Sequence, residues 1–240
     1  MKLFLKILLS TVFSLVIVFT GALIYYSSIT NGVELDVSKL ENTTSACSVY
    51  DENGCEITST DGFTVENEPP KNLRNAFVAI EDKRFYSHRG VDYKSMARAV
   101  INNLKSGKIK EGASTITQQL IKNVYLSGEK TLNRKLKEIK LAGQLEKTYS
   151  KDEILNLYLN KIYYGEGSYG VVAAAKRYFD KEPETLSLSE CATLAAIVKA
   201  PSTYSPYKNY ELCKGRRNLV LKEMLSQGFI EETDYGSAVS

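Results

Sequence analysis

An uninterrupted apolar segment near the N-terminus most strongly limits how this chain can fold. After Lys2 and Lys6 no charged residue occurs until Glu34, and Ile7–Tyr26 is an apolar run of twenty residues. At about 1.5 Å of rise per residue, a helix of that length crosses the roughly 30 Å hydrocarbon core of a bilayer. Residues 1–30 are therefore predicted to form a cytoplasmic tip and a transmembrane anchor.

The residues that flank this segment predict its orientation. Lys2, Lys6 and the α-amino group favour a cytoplasmic N-terminus, which places the rest of the chain outside the cytoplasm. Tyr25 and Tyr26 occupy positions typical of an interfacial aromatic belt. A cleaved signal peptide is the alternative, but the apolar run is long and no clean A-x-A cleavage site follows it. We therefore expect a single-pass protein of the cell membrane with an extracytoplasmic domain.

Charge is distributed unevenly along the sequence, although the whole chain carries only +3. Residues 31–70 contain one Lys and nine acidic residues, whereas residues 71–151 contain eighteen Lys or Arg and seven acidic residues, a net +11. Such a basic block indicates an anionic partner, or else a solvated lysine-rich face. Outside the cytoplasm and beside a membrane, phospholipid-like substrates are good candidates for that partner, and nucleic acid is a poor one.

Three regions are expected along the chain: the anchor (1–30), an acidic extracytoplasmic linker (31–68) and a folded domain (69–240). Short β-like segments around Asn53-Gly54 suggest a small hairpin in the linker. From Pro69 onward, recurrent apolar spacings and helix caps predict helices and no long strand. The caps are Asp92, which precedes an apolar stripe of Met96, Val100 and Leu104, and the capping boxes at Ser150–Glu153 and Ser187–Glu190. A further helix is predicted over Arg216–Gln227, and Tyr163–Gly167 is predicted to be a loop between helices. The domain is therefore predicted to be mainly α.

The four cysteines do not define a metal site. Cys47 and Cys55 flank an Asp-Glu-Asn-Gly turn and could form a disulfide in an oxidising compartment, but the sequence leaves this open. Cys191 and Cys213 fall in or beside helical patterns and are expected to be buried or unpaired thiols. Because the spacing of the cysteines matches no metal-binding pattern and the chain contains a single His, no metal site is expected.

Three polar clusters have the composition of a binding or catalytic site. Glu81–Gly90 ends an apolar helix, where a carboxylate can act as a base, although an exposed acidic pair is the plainer alternative. Gly112–Gln119 places Ser, Thr and Gln at a predicted helix start, where free N–H groups and the helix dipole favour anions. Arg134–Glu138 can form an ordinary i,i+4 ion pair, or can join Lys122 and Lys130 in a cationic site for a pyrophosphate.

In their order and spacing, these clusters resemble the successive motifs of the bacterial peptidoglycan glycosyltransferases. This is the transglycosylase domain of monofunctional enzymes and of bifunctional penicillin-binding proteins. The matching motifs are E-D-x-x-F-x-x-H-x-G from Glu81, G-x-S-T-I-T-Q-Q from Gly112, R-K-x-x-E from Arg134 and K-x-x-I-L-x-x-Y-L-N from Lys151. The resemblance covers roughly residues 65–230 and implies a lysozyme-like, two-lobed helical domain, whose smaller lobe partly embeds in the membrane.

The activity implied by the resemblance is an inverting hexosyl transfer from a polyprenyl-pyrophosphate donor to the 4-hydroxyl of lipid II. Glu81 would deprotonate that hydroxyl, and Glu138, the second catalytic residue, would orient the basic cluster and assist the leaving group. Substrate binding is assigned to Lys122, Lys130, Arg134, Ser114, Thr115, Gln118 and Gln119. Support of the motifs is assigned to Asp82, Phe85, His88, Gly90, Gly112, Lys135 and Asn160.

Several expectations about partners and alternatives follow from the same resemblance. No cofactor is required, although Mg²⁺ or Mn²⁺ could bridge the pyrophosphate; the partners are lipid II, the growing lipid-linked glycan, the membrane and other cell-wall synthesis proteins. One alternative is a lysozyme-like glycan hydrolase, which needs two carboxylates in a site without dense cations. Another is a non-catalytic cell-wall scaffold. No K-T-G motif occurs, so the chain is either monofunctional or part of a bifunctional penicillin-binding protein.

Overall fold

The structure is a computed structural model that describes residues 2–41, 49–50, 56–58, 68–107, 112–126, 129 and 131–240. Its helices are α1 (Lys2–Thr30), α2 (Ser38–Glu41), α3 (Lys71–Glu81), α4 (Tyr93–Ser106), α5 (Ile116–Tyr125), α6 (Leu132–Thr148), α7 (Lys151–Lys161), α8 (Val171–Phe179), α9 (Leu188–Val198), α10 (Pro201–Tyr204), α11 (Tyr210–Ser226) and α12 (Glu232–Val239). Its strands are β1 (Val49–Tyr50), β2 (Glu56–Thr58), β3 (Tyr163–Gly165) and β4 (Ser168–Tyr169), with 3-10 turns at Phe85–Ser87 and Pro183–Thr185. The predicted fold class is confirmed in that the domain is mainly helical and follows an N-terminal apolar helix.

The predicted anchor is one continuous helix, and Phe4–Thr30 is long and apolar enough to cross a membrane. Its C-terminal turns contact α6. The Tyr25 hydroxyl donates to Asn133 Oδ1 at 2.6 Å, and Lys140 Nζ donates to the carbonyl of Thr30 at 2.8 Å. These features suit a membrane-anchored protein, and the two hydrogen bonds fasten the anchor to the helix that carries the Arg134–Glu138 cluster.

In the linker, β1 and β2 pair antiparallel, as the predicted hairpin requires. The Asn53-Gly54 turn and both linker cysteines, Cys47 and Cys55, lie outside the described residues, so the disulfide stays a prediction. The other two cysteines match the expectation, because Cys191 and Cys213 are free and buried. Burial raises the pKa of the Cys191 thiol to about 12.

The core of the helical domain is built around α9, which packs against α3 and α11. The sequence of α9 is apolar on nearly every side, and a helix of that kind is stable only when it is enclosed. Phe77 of α3 extends this core towards α7 and β3. Its ring meets Tyr158 at 6.0 Å and Tyr164 at 6.1 Å between centroids, both in edge-to-face geometry. The core therefore fixes the C-terminal end of α3, where Glu81 lies.

The apolar face of helix α4 is largely exposed. Asp92 caps it as predicted, accepting from the backbone N–H of Ser95 at 2.9 Å. The apolar stripe that predicted the helix is largely exposed, however, with Val100 and Ile101 more than half exposed and Leu104 78 % exposed. The spacing of the apolar residues thus predicted the helix correctly, but the described residues leave its apolar stripe uncovered.

The segment from Tyr163 to Gly167, expected to be a loop between helices, contains part of a short hairpin. Strands β3 and β4 pair antiparallel, and Gly165, Glu166 and Gly167 turn the chain with positive φ angles of 91°, 49° and 78°. Glycine adopts such angles at little cost, so the two glycines on either side of Glu166 allow a tight turn.

Candidate active site

A cleft of about 630 Å³ opens at the C-terminal end of α3, where Glu81 lies. It is lined by residues of several helices and of the segments between them: Ile80, Glu81, Asp82, Lys83, Asp92, Ser95, Arg98, Gly112, Ala113, Ser114, Thr115, Lys199, Arg216 and Leu219. Four of these side chains are cationic: Lys83, Arg98, Lys199 and Arg216. The cleft therefore combines a carboxylate with a wall suited to anions.

The Glu81 side chain is only 9 % exposed, and its two carboxylate oxygens have different surroundings. Oε2 accepts a hydrogen bond from Gln119 Nε2 at 2.9 Å. Oε1 is itself buried and has no hydrogen-bonding partner among the described residues, and the nearest cation, Arg216 Nη2, is 3.9 Å away. One oxygen is thus held by the protein while the other retains its lone pairs, as a base requires.

Arg216 was not recognised from the sequence, which predicted only a helix over Arg216–Gln227. The helix begins six residues earlier, at Tyr210, and Arg216 lies in its interior. Its Nε donates to the carbonyl of Ala196 at 3.2 Å, and its guanidinium lies 5.2 Å from the centre of the Tyr204 ring. These contacts fix the guanidinium next to Glu81.

Asp82 follows Glu81 directly but has a different environment. Its carboxylate contacts His88 Nε2 at 2.9 and 3.1 Å and accepts from the backbone N–H of Ile116 at 3.0 Å. Nearby, the Thr115 hydroxyl donates to the carbonyl of Gly90 at 2.6 Å. Asp82 and His88 therefore join the turn after α3 to the first residue of α5, which is the kind of contact expected of motif-supporting residues.

Gly90 allows this turn to approach α6 closely. Its φ is +82°, and a Cβ at this position would lie 2.9 Å from the backbone oxygen of Ala142. A side chain here would meet both backbone strain and a fixed carbonyl group. Phe85, another predicted supporting residue, is completely buried in the same turn.

At the start of α5, the two adjacent glutamines have different positions. Thr115 accepts from the backbone N–H of Gln118, and Gln118 Oε1 accepts from the backbone N–H of Thr115, both at 3.1 Å. This capping box turns the Gln118 side chain inward, where it is completely buried, and Gln118 is not among the residues that line the cleft. Ser114 and Thr115 do line the cleft, and Gln119 contacts Glu81.

The Arg134–Glu138 cluster is ordered around a buried carboxylate. Glu138 is 2 % exposed; Arg134 Nη1 lies 3.6 Å from its Oε2, and Lys135 Nζ donates to its Oε1. Lys135 Nζ also donates to Ser114 Oγ at 3.1 Å, and Ser114 lines the cleft. The predicted i,i+4 pair is therefore present, and the cluster is connected to the Glu81 cleft through Lys135.

A second cavity, of about 430 Å³, lies beside this cluster and is lined by Tyr125, Leu126, Glu129, Thr131, Asn133, Arg134 and Lys137. Arg134 thus faces this cavity, and Asn133, which binds the anchor through Tyr25, is part of its wall. Lys122 is exposed and lines neither of the two cavities. Lys130 lies outside the described residues, so its position relative to the cluster stays a prediction.

The remaining supporting residues are distributed around the site. Gly112 lines the cleft, whereas Asn160 lies away from it on α7, where its amide donates to Asn156 Oδ1 at 2.9 Å. Among the described residues, no group of three or more His, Cys, Asp or Glu is arranged to hold a metal ion. In the cleft, the Asp82 carboxylate contacts His88 Nε2 and accepts from the Ile116 N–H. The Asp92 carboxylate accepts hydrogen bonds from Arg84 and from the Ser95 N–H.

The sequence is similar to a protein-family model and to known proteins. A family model described as Transglycosylase matches residues 57–225. Penicillin-binding protein 1F of Bacillus subtilis (strain 168) is 50 % identical over 188 residues, which are 76 % of this chain and 26 % of that protein. Penicillin-binding protein 1A of Aquifex aeolicus (strain VF5) is 43 % identical over 242 residues, covering 98 % of this chain and 33 % of that protein. The chain therefore spans about a quarter to a third of these relatives.

The chain is also similar to a solved structure. The crystal structure of penicillin-binding protein 1A from Haemophilus influenzae is 27 % identical in sequence, with a TM-score of 0.42, and the match covers 80 % of this chain and 20 % of that one.

Proposed function

The chain belongs to the transglycosylase family, and from this premise we propose that it polymerises peptidoglycan glycan strands. The proposed reaction transfers the growing glycan from a polyprenyl-pyrophosphate donor to the 4-hydroxyl of lipid II, with inversion at the anomeric carbon. The observation that carries the proposal is the Glu81 carboxylate, which is nine-tenths buried in a cation-lined cleft and has one oxygen without a hydrogen-bonding partner.

Glu81 is the proposed general base. As its Oε1 takes the proton from the acceptor's 4-hydroxyl, the hydroxyl oxygen forms a bond to the donor's anomeric carbon. The bond from that carbon to the pyrophosphate breaks, and its electron pair leaves with the pyrophosphate. Pyrophosphate departs readily once its charge is neutralised, so the protein mainly has to position the two substrates and supply positive charge.

The positive charge is proposed to come from two groups of side chains. The first is the set assigned through the motifs: Lys122, Lys130 and Arg134, with Glu138 holding Arg134 and Lys135 in place. The second is the wall of the Glu81 cleft, which adds Lys83, Arg98, Lys199 and Arg216. Ser114 and Thr115 would contact sugar hydroxyls, Gln119 would hold Glu81, and Gln118 would stabilise the start of α5. A divalent ion at the pyrophosphate stays optional.

A glycan hydrolase is less well supported by the carboxylates of the cleft. Hydrolysis requires a second carboxyl group across the sugar from the first. Besides Glu81, the carboxylates among the described lining residues are Asp82 and Asp92, and both are occupied by hydrogen bonds within the protein. The density of cations around Glu81 favours a leaving group with negative charge instead.

The proposed site of action is the membrane surface. Helix α1 would span the bilayer with its N-terminus in the cytoplasm, because Lys2 and Lys6 precede the apolar run. The exposed apolar face of α4 would then meet the lipid, near the polyprenyl chain of the substrate. Lipid II, the growing glycan and the membrane are the proposed partners, together with other cell-wall synthesis proteins.

The full chain in detergent or liposomes, incubated with labelled lipid II, tests this proposal. We expect glycan strands that lengthen with time, and a loss of at least about 100-fold in rate for Glu81→Gln with lipid II binding retained. Glu184→Gln, which makes the same change of charge at an exposed position, is the control and should polymerise normally. Cleavage of preformed glycan without polymerisation would show that the chain is a hydrolase, and full activity of Glu81→Gln would remove Glu81 from the mechanism.

A further inference from the structure

The Gln119 side chain connects Glu81 to a buried tyrosine. Tyr158, on α7, is completely buried, and its hydroxyl donates to Gln119 Oε1 at 3.1 Å. The other end of the same amide, Nε2, donates to Glu81 Oε2 at 2.9 Å. Tyr158 does not line the cleft, but a single side chain, Gln119, links its hydroxyl to the proposed base.

The chemistry of these groups allows only one arrangement of the amide. An ionised carboxylate can accept hydrogen bonds but cannot donate them, so Glu81 requires the NH₂ end of Gln119. The carbonyl end must then face Tyr158, and it is satisfied only if the hydroxyl donates. Burial, and after it the negative charge of Glu81, raises the pKa of Tyr158 well above its ordinary value, so that the hydroxyl keeps its proton.

We infer that Tyr158 is a positioning residue for Glu81, acting through the amide of Gln119, and that it thereby selects the carboxylate oxygen that takes the proton. This inference rests on the proposed function. With Oε2 engaged by Gln119, Oε1 is the oxygen left to accept the proton of the acceptor's 4-hydroxyl. Without the Tyr158 hydroxyl, Gln119 Oε1 would lose its hydrogen-bond donor, and the amide would reorient at the expense of its bond to Glu81.

The test compares Tyr158→Phe with Tyr164→Phe in the full chain. Tyr164 is equally buried and packs edge-on against the same Phe77, but its hydroxyl donates to the backbone carbonyl of Leu159 at 3.1 Å and has no link to Gln119. Both variants lose one buried hydroxyl, so both should unfold at a somewhat lower temperature. We expect kcat with lipid II to fall about tenfold in Tyr158→Phe alone, with KM unchanged.

A double-mutant cycle with Gln119→Ala tests the route of the effect. If Tyr158 acts through Gln119, then adding Tyr158→Phe to Gln119→Ala should leave kcat unchanged. The inference is overturned if Tyr158→Phe has the kcat of the unmodified chain, if Tyr164→Phe loses as much, or if the tenfold loss persists in the Gln119→Ala background.

One measurement remains decisive if Tyr158→Phe does not fold or if the unmodified chain does not polymerise lipid II. With tyrosine labelled with ¹³C at Cζ, the resonance of Tyr158 should shift in Gln119→Ala, because its hydroxyl loses its acceptor. No shift would overturn the hydrogen-bond link itself. This readout needs no substrate, so failure of the proposed function and failure of the positioning role can be told apart.

Discussion

The carboxylate of Asp82 accepts the backbone N–H of Ile116 at 3.0 Å, across 34 positions of sequence. This contact fastens the residue after Glu81 to the first residue of the helix that carries Gln119. Because His88 contacts the same carboxylate, three segments of the chain meet at one buried side chain. The relative position of Glu81 and Gln119 is therefore set by a neighbour that takes no part in the proposed chemistry.

Asp82→Asn should destabilise the protein more than a similar change on the surface. An asparagine is uncharged and replaces one of the two oxygens that meet His88 Nε2 by an NH₂ group, so its contacts with His88 and the Ile116 N–H are weaker. We expect a loss of about 1–3 kcal/mol in the free energy of unfolding. Asp152→Asn is the control, because the Asp152 carboxylate is half-exposed. It meets Arg74 at 3.5 Å and accepts from the Tyr86 hydroxyl at 2.9 Å, and an asparagine oxygen can still accept from both, so a loss of about 0–1 kcal/mol is expected. Urea denaturation measures both, and equal losses would contradict the clamping role of Asp82.

Two glycine substitutions at the contact between the turn after α3 and α6 should have opposite effects. Gly90→Ala places a Cβ against the Ala142 oxygen at a positive φ and should destabilise by more than about 1 kcal/mol. Gly143→Ala adds a methyl group in the helix interior with nothing within 4 Å, and should stabilise by about 0.5–1 kcal/mol. Thermal unfolding distinguishes them; a neutral Gly90→Ala would mean that the turn can move away from α6.

The ion pair between Lys83 and Glu223 predicts a pH-dependent contribution to stability. Lys83 Nζ lies 2.5 Å from Glu223 Oε2, and this hydrogen bond lowers the pKa of Glu223 below its ordinary value. A lowered pKa stabilises the fold at pH values above the unfolded pKa, and the contribution is lost as the pH falls through the folded pKa. Glu223→Gln should therefore cost a few tenths of a kcal/mol at pH 7, since the pair is partly exposed.

The same substitution should make little difference well below pH 4, where the carboxylate of the unmodified chain is protonated in both states. Denaturant melts of both chains at several pH values measure this difference. A constant gap between the two chains across that range would show that the Glu223 charge does not contribute through Lys83.

Arg216→Gln should impair polymerisation, because it removes the cation nearest to the unpartnered oxygen of Glu81. We expect kcat/KM for lipid II to fall by about tenfold or more. Arg177→Gln provides a matched control, since Arg177 also lies over a tyrosine ring, that of Tyr207 at 5.8 Å, but on an exposed surface. Equal activity of the two variants would exclude Arg216 from the site.

Features set by neighbouring residues could be read from the sequence. Asp92, Ser150 and Ser187 cap their helices as predicted, because a cap depends on a side chain and a backbone group only three residues apart. The N-terminal apolar helix was equally predictable, since length and apolarity alone define it. Glu81 was assigned through motif order, and the structure places it in a cleft.

Features set by packing could not be read in this way. Gln118 and Gln119 are adjacent and chemically identical, and only the phase of α5 against α7 decides which one contacts Glu81. Arg216 reaches Glu81 because α11 packs on α3, a contact between segments far apart in sequence. The apolar stripe of α4 has the spacing of a core helix, and no local signal indicates that it stays exposed.

The two hydrogen bonds between α1 and α6 have a geometric consequence. Asn133, which binds Tyr25, precedes Glu138 by five residues, or about 7–8 Å along the helix axis. If α1 is embedded in a bilayer, this attachment holds Arg134, Lys135 and Glu138 at a fixed distance from the bilayer surface, independent of the conformation of the linker. A substrate that diffuses within the bilayer then reaches the site by diffusion in two dimensions instead of three.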